Sequence, residues 1–174
     1  MIPVLRAGIG LVSLVALLLF VELLSGVAQT EYLPFETISH GCSPGSGGEK
    51  PSPKIFIISE KSDLASVQLG MFFPSRLTAE LTSLDYERYF AVLVLQPDVG
   101  IDAGLIIQGI RKQGYRVTVE ATLDFPAPGR ITHPVGGTAC RLVAVSKEGA
   151  WNESIQFVLV LDGKTIVDVP HFIP

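Results

Sequence analysis

Charge is scarce in this chain. Charged side chains make up 17% of its 174 residues, and the 13 Lys and Arg are outnumbered by 17 Asp and Glu. A formal net charge of −4 offers no electrostatic footprint for DNA or RNA, which excludes nucleic acid as the expected partner. Metal-ligating residues are few as well: Cys42 and Cys140, with His40, His133 and His171. Their spacing matches no metal module, so no metal is expected and exposed loop positions are the plainer reading of the histidines. There is no Gly-x-Ser-x-Gly elbow. The glycines at 100, 104, 109 and 114 lack the Lys-Ser/Thr ending of a phosphate loop, and no cofactor is expected. A Ser/His/Asp triad is defined by geometry, and sequence alone leaves it open. Apolar residues, in contrast, make up 48%, which excludes a disordered chain.

Much of that apolar content lies at the start. The first 28 residues hold 20 apolar side chains and only two charges, Arg6 and Glu22. A basic residue, a charge-free run from Ala7 to Val21 and the small-residue end Ser25-Gly26-Val27-Ala28 make a secretory signal. The alternative is an uncleaved anchor, a hydrophobic helix holding the membrane through residues 2–24. Either way, residues 29–174 are expected outside the cytoplasm as a single β-rich domain. Residues 40–53 are dominated by Gly, Ser and Pro and read as a flexible loop.

The rest reads as strands. Phe35 to Ser39 and Lys54 to Ser59 are short β runs, and Tyr89 to Gln96 is apolar on both faces, so central, with Pro97-Asp98 ending it. Tyr115 to Asp124 alternates strictly. Tyr115, Val117, Val119, Ala121 and Leu123 share one face, expected buried, and the polar residues share the other. Cys140 to Ser146 forms another strand. Asp162-Gly163 joins Ile155–Leu161 to Lys164–Val169 as a hairpin. Ser59 or Ser62 is expected to cap a short helix to about Leu69, and Leu77, Leu81 and Leu84 suggest a second. The glycines from 100 to 114 read as a connection and bulge region. The expected fold is mainly β: an antiparallel sandwich or open barrel with one or two short helices.

Cys140 alternates with Leu142 and Ala144, which argues for a buried or paired sulfur. In an exported domain, two cysteines invite a Cys42–Cys140 disulfide.

The order Tyr89-Phe90-Ala91-Val92-Leu93-Val94, Gln113-Gly114-Tyr115-Arg116-Val117-Thr118-Val119, Ile131-Thr132-His133-Pro134 and Cys140-Arg141-Leu142-Val143-Ala144-Val145-Ser146-Lys147 resembles the C-terminal domain of PrcB-type protease-complex subunits. The likeness covers roughly residues 54–147. Gln113 stands where that family has the first glycine of a Gly-Gly-Tyr turn. Cys140-Arg141-Leu142-Val143 stands for Tyr-His-Leu-Val. The resemblance implies an exported, non-catalytic domain that assists a protein partner, often a protease. Candidate partner-binding residues are Gly114 and Tyr115 in the turn, and Arg130, Thr132 and His133 in a loop, since loops on a rigid scaffold are favoured for binding. For Tyr115 the plainer reading is a core aromatic after a turn glycine. The alternative function is a small secreted hydrolase or carbohydrate-active enzyme.

Overall fold

A computed structural model describes residues 29–39, 52–65, 67, 75–100, 102–127, 136–149 and 151–174. The N-terminal apolar run, most of the Gly/Ser/Pro loop with Cys42, and Arg130, Thr132 and His133 lie outside the described residues. Among those described the chain is mainly β, with nine strands and two short helical elements. The strands are β1 (Glu31–Tyr32), β2 (Phe35–Ser39), β3 (Lys54–Ile58), β4 (Tyr89–Gly100), β5 (Gly104–Gln113), β6 (Arg116–Asp124), β7 (Gly136–Ser146), β8 (Glu153–Leu161) and β9 (Lys164–Ile173). Between β3 and β4 lie a 3-10 turn (Lys61–Ala65) and helix α1 (Ser75–Ser83).

The strands form two sheets. Sheet A runs β1-β5-β6-β8-β9 and sheet B runs β2-β7-β4-β3. One core fills the space between them. Ile55, Ile57, Phe90, Val92, Val94, Val143 and Val145 come from sheet B; Leu105, Ile110, Val117, Val119, Ile155, Phe157, Leu159 and Ile173 come from sheet A. The Phe90 and Phe157 rings meet edge to face, centroids 5.8 Å apart. Such a pair adds about 0.5–1.5 kcal/mol beyond the area it buries. A second cluster covers the outer face of sheet B, where Leu81 of α1 packs with Val67, Ala91, Leu93, Leu95, Cys140 and Leu142. This explains the two-sided apolar pattern of β4, which lies inside sheet B with sheet A on one face and the helical layer on the other.

Three expectations are corrected. The fold is not purely antiparallel, because β6 and β8 pair in parallel, Arg116 with Gln156 through Ala121 with Leu161. The chain leaves β6, crosses to sheet B as β7, and returns to sheet A. Pro97 does not end β4. A bulge at Pro97 to Val99 carries Asp98 at φ 57° and lets the strand run on to Gly100. The glycine-bearing connection is a ten-residue strand, β5, whose bulge between Ile107 and Gly109 breaks the alternation that would have revealed it. Of the short helix expected from Ser59 or Ser62 to about Leu69, the described part is a 3-10 turn, Lys61–Ala65, while Ser66, Gln68 and Leu69 lie outside the described residues.

The Asp162-Gly163 hairpin is present. Both residues have positive φ, 48° and 78°, as a two-residue turn matched to strand twist requires.

Candidate functional site

Gly114 turns the chain from β5 into β6 with φ 56°, a left-handed conformation that glycine adopts at least cost. Tyr115 follows in the turn and is 71% exposed. It is therefore not a core residue. The alternation that buries Val117 and Val119 starts one step later, because Tyr115 belongs to the turn. Of the candidate partner-binding residues only Gly114 and Tyr115 are among the described residues; Arg130, Thr132 and His133 lie outside them. Phe125, just past the end of β6, lies the whole of β6 away from Tyr115. Ten residues of extended chain put them roughly 30 Å apart. Cys140 is buried and takes part in a disulfide. Cys42 is the only other cysteine in the chain.

The sequence did not reveal a polar cluster at the seam between the sheets. Ser59, at the end of β3, is 2% exposed. Its Oγ lies 2.9 Å from Nε2 of His171 on β9. The hydroxyl is also 3.0 Å from Oδ2 of Asp63 and 3.2 Å from the carbonyl of Phe172, either of which can accept its proton. Asp63 Oδ2 accepts the N–H groups of Ser59 at 2.7 Å and of Glu60 at 3.1 Å, and lies 3.3 Å from His171 Nε2. The carboxylate thus holds the first turn of the 3-10 segment as a reversed cap. Lys147, just past β7, donates to the carbonyls of Tyr86 at 2.8 Å and Ser59 at 3.4 Å.

Electrostatics follow from this packing. Burial, with the Asp63 charge adding to it, pushes the Tyr86 phenol up to about 12. Its hydroxyl donates to the Leu81 carbonyl at 2.8 Å. Burial lowers the Lys147 ammonium, and the charges of Glu60 and Asp63 offset part of that.

Ser, His and Asp side chains within hydrogen-bond distance invite comparison with a hydrolytic triad. There, serine and aspartate bond opposite nitrogens of the imidazole, so that a proton can be taken on one side and the cation stabilised on the other. Here Ser59 and Asp63 both approach Nε2. The serine is buried and is itself bonded to the carboxylate. The arrangement is that of a clasp tying β9 of sheet A to the end of β3. His171 is accordingly not the exposed loop residue expected from sequence. It sits on a strand with its ring edge-to-face against Phe157, centroids 6.5 Å apart.

A second clasp closes the opposite seam. Arg141 of β7 donates from Nε to the Leu105 carbonyl of β5 at 2.6 Å. Burial lowers its guanidinium below its ordinary value. Both clasps satisfy carbonyls on strand edges that would otherwise need a partner.

Six large apolar residues stay exposed among the described residues, and they divide between the two ends of sheet A. Tyr32, Tyr115 and Phe172 lie at the end of the β5–β6 turn. Ile106, Phe125 and Ile166 lie toward the other. No group of three His, Cys, Asp or Glu side chains is placed to hold a metal ion among the described residues. Compared with known proteins, the chain matches no family model, no curated protein and no solved structure.

Proposed function

We propose that the chain is a non-catalytic accessory module on a sandwich-type scaffold, carried outside the cytoplasm by its N-terminal signal or anchor. It binds a protein partner through the end of sheet A that carries Ile106, Phe125 and Ile166. The observation that carries this reading is Phe125. Its side chain is 62% exposed at the exit of β6, and in sequence it precedes Arg130, Thr132 and His133 by five to eight residues. An exposed aromatic at the same end of a sheet as exposed aliphatic side chains is a common makeup of a protein-binding anchor. A protease-complex component is the partner class that the resemblance to PrcB-type subunits favours. Among the described residues, the Ser and His that come together are Ser59 and His171, and their shared contact with Asp63 does not have the geometry of a hydrolytic triad.

The test is cross-linking in the native envelope. Phe125→Ser combined with Ile106→Ser should abolish a specific protein adduct while the melting temperature stays near that of the parent. Turnover of an ester, peptide or glycan substrate that is lost in Ser59→Ala or His171→Ala, with the fold intact, would overturn the non-catalytic reading.

A further inference from the structure

We infer that the opposite end of sheet A, bearing Tyr32, Tyr115 and Phe172, lies against the surface of a lipid bilayer. The inference rests on the extracytoplasmic reading above, in its uncleaved form. Its first observation is where the chain comes from. β1 pairs Glu31 with Lys112 and Tyr32 with Arg111, so it runs antiparallel to β5 and away from the Gly114 turn. The residues before Glu31 therefore emerge at the Tyr115 end. The apolar run ends at Leu24, and residues 25–30 span at most about 20 Å fully extended. An anchored chain cannot hold this end far from the membrane.

The second observation is the chemistry of the exposed groups. Two tyrosines and a phenylalanine stand at this end, whereas two isoleucines and a phenylalanine stand at the other. Tyrosine sits favourably at a bilayer interface, with its ring against the acyl boundary and its hydroxyl in water. Behind these rings the end is closed by Trp151, whose ring packs edge-on against Phe90 at 5.3 Å and lies under the Lys112 ammonium at 4.2 Å. Lys112 is in turn 3.1 Å from Glu153. Charge at this end is mixed: Arg88 and Arg116 are accompanied by Glu31, Glu87 and Glu148, all exposed. A zwitterionic headgroup layer suits that balance better than an anionic one.

The experiment uses the full chain in phosphatidylcholine vesicles, with hydroxyl-radical footprinting read by mass spectrometry. In the structure Tyr32 and Tyr115 are each 71% exposed, Phe172 52% and Phe125 62%, so without a membrane the four rings should label in proportion to their intrinsic reactivity. In vesicles, Tyr32, Tyr115 and Phe172 should fall to about a fifth of that labelling relative to Phe125, as rings at an interface are shielded. In Tyr32→Ser/Tyr115→Ser the chain should still float with the vesicles, but Phe172 should regain its labelling. Flotation with all four rings labelled as in the structure would overturn the membrane contact while leaving the anchor intact. Failure to float would overturn the anchor and this inference together.

Discussion

The Ser59 hydroxyl and the His171 Nε2 lie 2.9 Å apart although 112 residues separate them in the chain. That contact joins the end of β3 in one sheet to β9 in the other. With Asp63 and the Phe172 carbonyl it forms a closed set of polar groups at the seam. Partners this distant in sequence are ordered only when both sheets are in place, so the contact reports on the assembled fold.

Ser59→Ala should therefore destabilise the domain. The substitution removes the Ser59 hydroxyl from the Phe172 carbonyl, His171 and Asp63 at once, and losing a buried hydrogen-bond partner costs about 1–3 kcal/mol. Urea denaturation of Ser59→Ala, His171→Ala and the double variant should show a coupling of about 0.5–3 kcal/mol. Strict additivity would mean that the clasp contributes no stability.

Arg141→Met keeps the length and apolar stem of the side chain and removes its donor to Leu105. Loss of a hydrogen bond to a charged group costs about 1.5–3 kcal/mol. The expected result is a lower urea midpoint with an unchanged slope, since the variant should unfold from the same compact state.

Tyr115→Ala should leave stability within about 0.5 kcal/mol of the parent, as exposed substitutions usually do. Phe157→Ala should cost about 3–5 kcal/mol, because Phe157 is fully buried against Phe90. Similar losses for the two would place Tyr115 back in the core.

Tyr86 gives a pH signature. Its folded phenol ionises at about 12, above the usual 10, so the fold favours the neutral form. That contribution is complete below pH 10 and is lost as pH rises from 10 to 12. Lys147 acts in the opposite sense, because its lowered ammonium makes deprotonation relieve a cost of folding. Ultraviolet titration of tyrosinate separates the two. One late step near pH 12 should be present in the parent and missing in Tyr86→Phe.

Titration of the unfolded chain without reductant should find no free thiol, since Cys140 is disulfide-bonded and Cys42 is the only other cysteine. A cross-link closing a loop of roughly 100 residues stabilises by about 4–5 kcal/mol in the chain-entropy model, so reduction should lower the melting temperature.

How much of this was legible in the sequence depended on whether the signal was local. β6 was readable because Val117, Val119 and Ala121 alternate with polar residues. The β8–β9 hairpin was readable because Asp162-Gly163 is a turn by its own chemistry. The doubly buried β4 showed itself by the unbroken run from Phe90 to Leu95. β5 was hidden by two glycines and a bulge that shifts its alternation midway. The parallel pairing of β6 with β8 has no local signature, since the intervening strand goes to the other sheet. Tyr115 misled because the periodicity of β6 extends by one residue into the turn. The Ser59–Asp63–His171 cluster had only one near pair in sequence, Ser59 and Asp63, which also reads as ordinary helix capping. Nothing local to His171 indicated that its strand would come to lie beside β3.

The most direct test of the accessory-module reading is a photoreactive phenylalanine analogue placed at position 125, and separately at 115, in the full chain in its native envelope. The account predicts a discrete protein adduct at 125, lost when Ile106→Ser is added, and no protein adduct at 115. A protein adduct at 115 with none at 125 would contradict it.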